Sequence, residues 1–237
     1  MKPRSIQVCL SPALLPLYAK ENTIAVVIDI FRATSSMCYG LANGAQAIIP
    51  VAEIEECLAY AGQPACLLAA ERNGEVVQGF DFGNSPFSYG AENVAGKTVV
   101  LTTTNGTRAI RECEGTKLIA IGSFLNITAL SDWLKTQSSH VLLVCAGWKD
   151  HVCMEDTLFA GAVVSRIKTA DSMLDDAARI ADGLYQEAHL DIAGYLRNAG
   201  HATRMERLNL SRDIEFCLRQ DLVSVVPIMR DGQLVCL

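Results

Sequence analysis

Short apolar runs bounded by turn residues recur along the chain, at 5–10, 24–30, 46–51, 65–70, 98–103, 117–122, 140–145 and 222–228. Each is the length of a strand, and several hold almost no polar residue, as strands covered on both faces do. Between many of them the apolar positions return at helical spacing: EIEECLAYA (53–61), ITALSDWLKTQ (127–137) and the stretch 154–168. Strands that alternate with helices predict βαβ units. The expected fold is therefore α/β, a largely parallel sheet layered with helices. Residues 171–220 show helical patterns without a clear strand and predict a C-terminal helical segment. In VVPIMRDGQLVCL, Asp231-Gly232 stands between two apolar runs and predicts a terminal β-hairpin. No low-complexity linker interrupts the pattern, so residues 1–237 are read as one domain.

A faint internal echo accompanies this pattern. AVVIDIFRATSS (25–36) and TVVLTTTNGTRA (98–109) align without gaps, each a strand, a polar turn and a helix start. An internal duplication would account for it. So would the general likeness of any two βα units, which is the favoured reading.

Composition narrows the class. Half of the residues are hydrophobic, enough for a sizeable core, and no apolar run reaches the roughly 18 residues of a membrane span. The opening MKPRSIQVCLSPALLPLYA loosely resembles an export signal, but Pro12 and Pro16 interrupt it, and IQVCL reads as the first strand. A net charge of −6 argues against a nucleic-acid partner. It leaves room for a small anionic substrate, because binding depends on local charge. The nine cysteines are odd in number, and Cys9, Cys66 and Cys145 sit inside apolar runs. Reduced thiols in a cytoplasmic protein are expected. The four histidines are scattered and no CxxC pair occurs, which argues against a zinc site of the Cys/His kind.

Open α/β sheets collect ligands outside the carboxyl ends of their strands, and five polar clusters follow strands here. In VVIDIFRATSS, Asp29 ends a buried run and needs a positive partner. Arg32 or a metal ion could serve, with Thr34, Ser35 and Ser36 at a helix start. In CLLAAERNGEVVQGFDFGNSP, Glu71, Arg72, Asp81, Asn84 and Ser85 crowd a loop with Gly79 and Gly83, where backbone can approach a ligand closely. Two carboxylates and an arginine suit a hard cation such as Mg²⁺ beside an anion. In VVLTTTNGTRA, Thr103, Thr104, Asn105 and Thr107 supply donors at a helix N-terminus, Gly106 lets the turn tighten, and Arg108 adds a cation. That stretch reads as an anion cradle, although the GK[ST] of a Walker loop is absent. Ser123 and Asn126 in GSFLN form an ordinary helix cap. Lys149, Asp150, His151, Glu155 and Asp156 crowd the fifth loop, where a first-turn acid is commonly a helix-dipole partner. Each cluster also has a plain structural reading as a cap, ion pair or surface loop.

Two motifs are set aside. Cys66 and Arg72 have the C-x5-R spacing of cysteine phosphatases, but LLAAE between them lacks the glycine-rich amide nest a thiolate needs. The second aspartate of haloacid-dehalogenase-type phosphatases, two residues after the first, is Phe31 here.

Taken together and in order, DIFRATSS, ERNGEVVQGFDFGNSP, TTTNGTRA, GSFLN and CAG…EDTLFAG resemble the 2-phosphosulfolactate phosphatase family, from about residue 24 to 161 and more faintly beyond. The resemblance implies a Mg²⁺-dependent acid phosphatase that converts 2-phospho-3-sulfolactate to 3-sulfolactate and phosphate, a step in coenzyme M synthesis. Matching carries Asp29, Glu71 and Asp81 over as metal or catalytic carboxylates, with Asp156 of EDTLFAG as a further metal candidate. Arg32, Arg72 and Arg108 become anion contacts, Arg32 and Arg108 among the catalytic residues with Asp29; Asn84, Ser85, Thr103, Thr104, Asn105, Gly106 and Thr107 complete the expected substrate-binding set with Arg72. The chain departs from the pattern at Asn73, where glycine is expected, and in the irregular WKDHVCM loop, which leaves Lys149, His151 and Glu155 without a role. The attacking group is either a metal-oriented water or Asp29 itself. A general acid phosphatase on other hydroxy-acid phosphates is the nearest alternative, and a non-catalytic binding protein for such a metabolite is another. A homodimer is the default assembly.

Overall fold

The apolar runs form strands of one mixed sheet. The computed structural model describes residues 4–237; the first three residues of the opening stretch lie outside it. The strands are β1 (Ser5–Cys9), β2 (Thr23–Ile28), β3 (Ala47–Pro50), β4 (Cys66–Arg72), β5 (Glu75–Val76), β6 (Thr98–Thr102), β7 (Leu118–Gly122), β8 (His140–Cys145), β9 (Met173–Leu174), β10 (Pro227–Arg230) and β11 (Gln233–Cys236). Their order across the sheet is β5-β4-β6-β3-β11-β10-β7-β2-β8-β1-β9. One parallel group is β7-β2-β8-β1-β9, in which Val26 faces Ala120 on one side and Leu143 on the other. A second parallel group is β4-β6-β3.

The terminal hairpin is present, and it is a central joint rather than an appendage. β10 and β11 pair with each other and lie antiparallel to β7 and β3, through Ile228 opposite Ala120 and Leu234 opposite Ile48. The strands β2 and β6, whose sequences echo one another, fall in different parallel groups.

Helices cover both faces: α1 (Ala33–Ala42), α2 (Ile54–Leu58), α3 (Ala91–Val94), α4 (Gly106–Glu112), α5 (Ile127–Lys135), α6 (Met154–Ile167), α7 (Asp176–Ala188), α8 (Ile192–Leu196), α9 (Gly200–Arg207) and α10 (Ser211–Cys217). The period-two alternation of β2 sorts its side chains between two cores. Ile24, Val26 and Ile28 pack with residues of α5, α6 and α7, while Ala25 and Val27 pack with residues of α1 and α4. At Gly161, α6 runs so close to α7 that a Cβ would collide with the Ala181 carbonyl.

Two sequence expectations are corrected. The run 222–228 becomes a strand only from Pro227, because the backbone before it is bound elsewhere. Val223 N–H donates to Leu125 O at 2.9 Å, and Asn126 Nδ2 donates to Val225 O at 3.0 Å. The segment 171–220 also contains β9, too short to show a period, which pairs with β1 through Ser5 opposite Met173. Among the described residues no helix is long and apolar enough to cross a membrane. All nine cysteines are free.

Candidate active site

Asp29 leaves the fully buried end of β2 and is itself only 8% exposed. Its backbone is fastened by Thr34: Asp29 N–H donates to Thr34 Oγ1 at 3.0 Å, and Thr34 Oγ1 donates back to Asp29 O at 2.9 Å. The carboxylate faces the first turn of α1, accepting from Ala33 N–H at 3.4 Å. Burial pushes its pKa up to about 6; Glu71 and Glu155 push the same way, while His201 and the Ala33 amide pull back. Such a group titrates closer to neutrality than an ordinary aspartate.

Glu71, near the end of β4, is also buried. Thr104 Oγ1 donates to its Oε2 at 3.3 Å, and Gly74 N–H donates to its Oε1. Asn84 is 5% exposed, with an Oδ1 that has no partner. Asn105 precedes α4 and accepts from Lys149 N–H at 3.2 Å through Oδ1. Asp29, Arg32, Glu71, Asn84, Thr104 and Asn105 line one cleft. Gly106 packs directly against the Asp29 carboxylate.

Other expected residues are placed elsewhere, each for a visible reason. Arg108 is 47% exposed, and its guanidinium meets Glu112 at 2.7 Å and Asp150 at 3.2 Å on the outer face of α4. Arg72 turns along the sheet edge, donating to Glu71 O, Ala52 O and Thr102 Oγ1. Asp81 is exposed and accepts from Leu68 N–H at 2.8 Å, extending the pairing of β4. Asp156 engages both carboxylate oxygens with backbone amides, Ile30 N–H at 2.9 Å and Gly147 N–H at 3.0 Å. It ties the exits of β2 and β8 together, and burial followed by repulsion from Glu155 and Asp29 raises its pKa well above the usual range. Thr103 and Thr107 cap each other: Thr103 N–H donates to Thr107 Oγ1 at 3.1 Å and Thr107 N–H to Thr103 Oγ1 at 3.2 Å. Ser85 opens the short 3-10 turn Pro86–Tyr89. None of these seven lines the cleft.

The remaining wall comes from residues that sequence motifs did not single out. Trp148 follows β8, and α9 contributes His201 and Arg204. His201 Nδ1–H donates to the buried Glu155 carboxylate at 2.6 Å. The Arg204 guanidinium lies 4.2 Å over the Trp148 ring, and its Nη1 is buried without a partner. Arg32 Nη1 bonds Asp213 Oδ2 of α10 at 2.6 Å, and Nη2 donates to Gly74 O at 3.0 Å. A carboxylate in SRDIEFC, among Ile214, Phe216 and Cys217, was the one available signal: an acid on the inward side of an amphipathic helix requires a cation. Two guanidiniums, two buried carboxylates and an imidazole thus converge on a space suited to a small polyanion.

Matches to known proteins run along nearly the full length of the chain. A family model described as 2-phosphosulpholactate phosphatase matches residues 9–232. A protein of Thermotoga petrophila named probable 2-phosphosulfolactate phosphatase is 42% identical over 219 residues, covering 92% of this chain and 94% of its own length. Its namesake in Thermotoga maritima is 41% identical over the same shares. The protein of that name in Clostridium beijerinckii is 37% identical over 221 residues, 91% and 92% of the two chains.

Proposed function

The chain belongs to the 2-phosphosulfolactate phosphatase family of phosphoric monoester hydrolases, and from that premise we propose that it hydrolyses 2-phospho-3-sulfolactate to 3-sulfolactate and phosphate with the help of Mg²⁺. One observation carries the reading: Arg32, Arg204, Asp29, Glu71 and His201 all line a single cleft. Such a substrate brings phosphate, sulfonate and carboxylate together on three carbons. It therefore rewards two guanidiniums that a simpler monoester would leave unsatisfied.

The residues present suit Mg²⁺. The Asp29 and Glu71 carboxylates are oxygen donors, and their mutual repulsion with Glu155 is what a divalent cation would relieve. Asp29 and Glu71 would hold the ion, which when bound supplies Lewis-acid polarisation of the phosphoryl oxygens. Arg32 and Arg204 orient the anionic groups, Arg32 pinned by Asp213 and Arg204 stacked on Trp148. With Nδ1–H committed to Glu155, Nε2 is the atom through which His201 exchanges a proton with the substrate or the leaving oxygen. Free thiols throughout suit the reducing cytoplasm.

A substrate panel tests the reading. Phosphate release is measured with phosphosulfolactate, phospholactate and 3-phosphoglycerate at equal Mg²⁺. Strong preference for the sulfonated ester is expected. Equal kcat/KM across the panel would point to a general acid phosphatase, and binding without release to a metabolite-binding protein.

A further inference from the structure

Cys153 stands immediately before α6, at a position where serine, threonine or aspartate ordinarily caps the first amides through an oxygen. Its thiol makes no such bond. Sγ lies instead 3.8 Å from Nδ1 of His201, and the same nitrogen is 2.6 Å from Oε1 of Glu155. Sulfur, nitrogen and carboxylate oxygen lie within 4.8 Å of one another. Cys153 is 5% exposed and Glu155 1%, and Oε2 of Glu155 is buried without a partner.

This donor set differs in kind from Asp29 and Glu71. Mg²⁺ takes oxygen ligands, whereas Zn²⁺ takes thiolate, imidazole and carboxylate together. With a Zn–S bond of about 2.3 Å and a Zn–N bond of about 2.0 Å, sulfur and nitrogen separated by the observed 3.8 Å subtend roughly 120°, near tetrahedral, while Nδ1 and Oε1, now 2.6 Å apart across a shared proton, open to about 3.3 Å when the ion replaces that proton. The local CxxC spacing sought in the sequence is absent because the ligands come from two elements, the start of α6 and the start of α9. Cys153 and His201 both line a second pocket on the far side of Trp148 and Arg204, which gives a metal ion a route in.

We propose that Cys153, Glu155 and His201 form a site for a zinc-class divalent transition metal, and that its occupancy inhibits the phosphatase. On binding, the thiol proton passes to solvent as the sulfur–metal bond forms, and the imidazole proton moves from Nδ1 to Nε2 as Nδ1 binds the metal. The site then holds one dication against two anions. Burial, with repulsion from Glu155, Asp156 and Asp29, keeps the Cys153 thiol protonated otherwise, so the metal is what brings the thiolate into being. Inhibition follows because Nε2 then carries a fixed proton and Glu155 no longer orients the ring. This second half rests on the phosphatase reading; the metal site itself does not.

Titration of the full-length protein with Co²⁺ alone, without Mg²⁺, tests the site. A near-ultraviolet thiolate-to-cobalt charge-transfer band saturating at one equivalent and bleached by Zn²⁺ is expected, absent in Cys153→Ser. Serine is the better helix cap, so this variant keeps the fold. No band, or a band that persists in Cys153→Ser, overturns the site. In parallel, Zn²⁺ should inhibit Mg²⁺-supported phosphate release. Cys153→Ser should keep basal activity and lose Zn²⁺ sensitivity by at least about tenfold, the scale of losing a metal-supporting group. Unchanged sensitivity overturns the inhibitory role. If no substrate releases phosphate while the band forms as described, the phosphatase reading fails and the metal site stands.

Discussion

A methyl group on Gly106 would lie 2.7 Å from Oδ2 of Asp29 and 2.7 Å from Cβ of Ala33. Gly106 does not sit in the left-handed region, so the glycine is required for space and not for a turn. The start of α4 and the end of β2 are thereby pressed together, and Asp29 is held from both sides. Gly106→Ala should move the carboxylate or the helix. An overpacking cost of about 1–3 kcal/mol in stability is expected, with kcat/KM falling further than the loss of folded protein explains. Urea midpoints and phosphate release on the same preparation check this; an unchanged kcat/KM would show that the fine placement of Asp29 does not matter.

Arg204 and Arg108 make opposite predictions. Arg204 faces the cleft with an unpartnered Nη1, whereas Arg108 lies outside, in exposed ion pairs with Glu112 and Asp150. Arg204→Ala should raise KM for a doubly or triply charged substrate by roughly 10–100-fold, the worth of one charge-assisted contact of about 1.5–3 kcal/mol. Arg204→Lys should recover only part, losing the stacked planar fork. Arg108→Ala should leave kcat/KM nearly unchanged, since exposed ion pairs contribute about 0–1 kcal/mol. Steady-state kinetics with phosphosulfolactate decide; a larger defect in Arg108→Ala than in Arg204→Ala reverses the assignment.

The contrast shows what local pattern can carry. The buried strands announced themselves by continuous apolar runs, and the rule that ligands gather at carboxyl ends pointed to Asp29, Glu71, Thr104 and Asn105, which share one cleft. Helix phase defeated the reading at Arg108. Successive helical residues turn by about 100°, so the residue two beyond Gly106 faces away from Asp29, and no count of charges in TTTNGTRA reveals it. Asp81 failed for a related reason, because a carboxylate beside a strand edge can bind backbone as readily as a ligand. His201, Arg204 and Asp213 lie in helices that meet β2 only through tertiary packing. Apart from the inward acid of SRDIEFC, nothing near them in the chain marks that meeting. Likewise Asp231-Gly232 announced a hairpin, but its insertion between β3 and β7 depends on strands more than a hundred residues away in the chain.

The Arg32–Asp213 pair joins α10 to the site at 2.6 Å, with side chains 6% and 8% exposed. Removing one member of a buried pair strands the other charge, at a cost of about 3–5 kcal/mol. Asp213→Ala should therefore lower the unfolding free energy by that order, and Arg32, no longer anchored, should hold substrate less well. Denaturant titration measures the first effect and KM the second. A loss of stability below about 1 kcal/mol would mean that water or another group compensates Arg32.

Asp29 carries a charge that the fold tolerates poorly. Burial, then repulsion from Glu71 and Glu155, raises its pKa from 3.8 to about 6 in spite of His201. The folded state therefore binds this proton more tightly than the unfolded chain. The stabilisation due to protonation is fully present below the unfolded value near 3.8 and is lost as pH rises through about 6. Above that, the ionised carboxylate destabilises the metal-free protein by at most on the order of 3 kcal/mol. Asp29→Asn removes the charge and keeps an oxygen for the Ala33 amide. Its Tm in EDTA at pH 7 should exceed that of the wild type, with the gap closing toward pH 4. Mg²⁺ should raise the wild-type Tm and restore activity lost to EDTA, yet do neither for Asp29→Asn. Equal stabilisation of both proteins by Mg²⁺ would remove Asp29 from the metal site. Equal Tm in EDTA at pH 7 would show that the buried charge is already compensated within the chain.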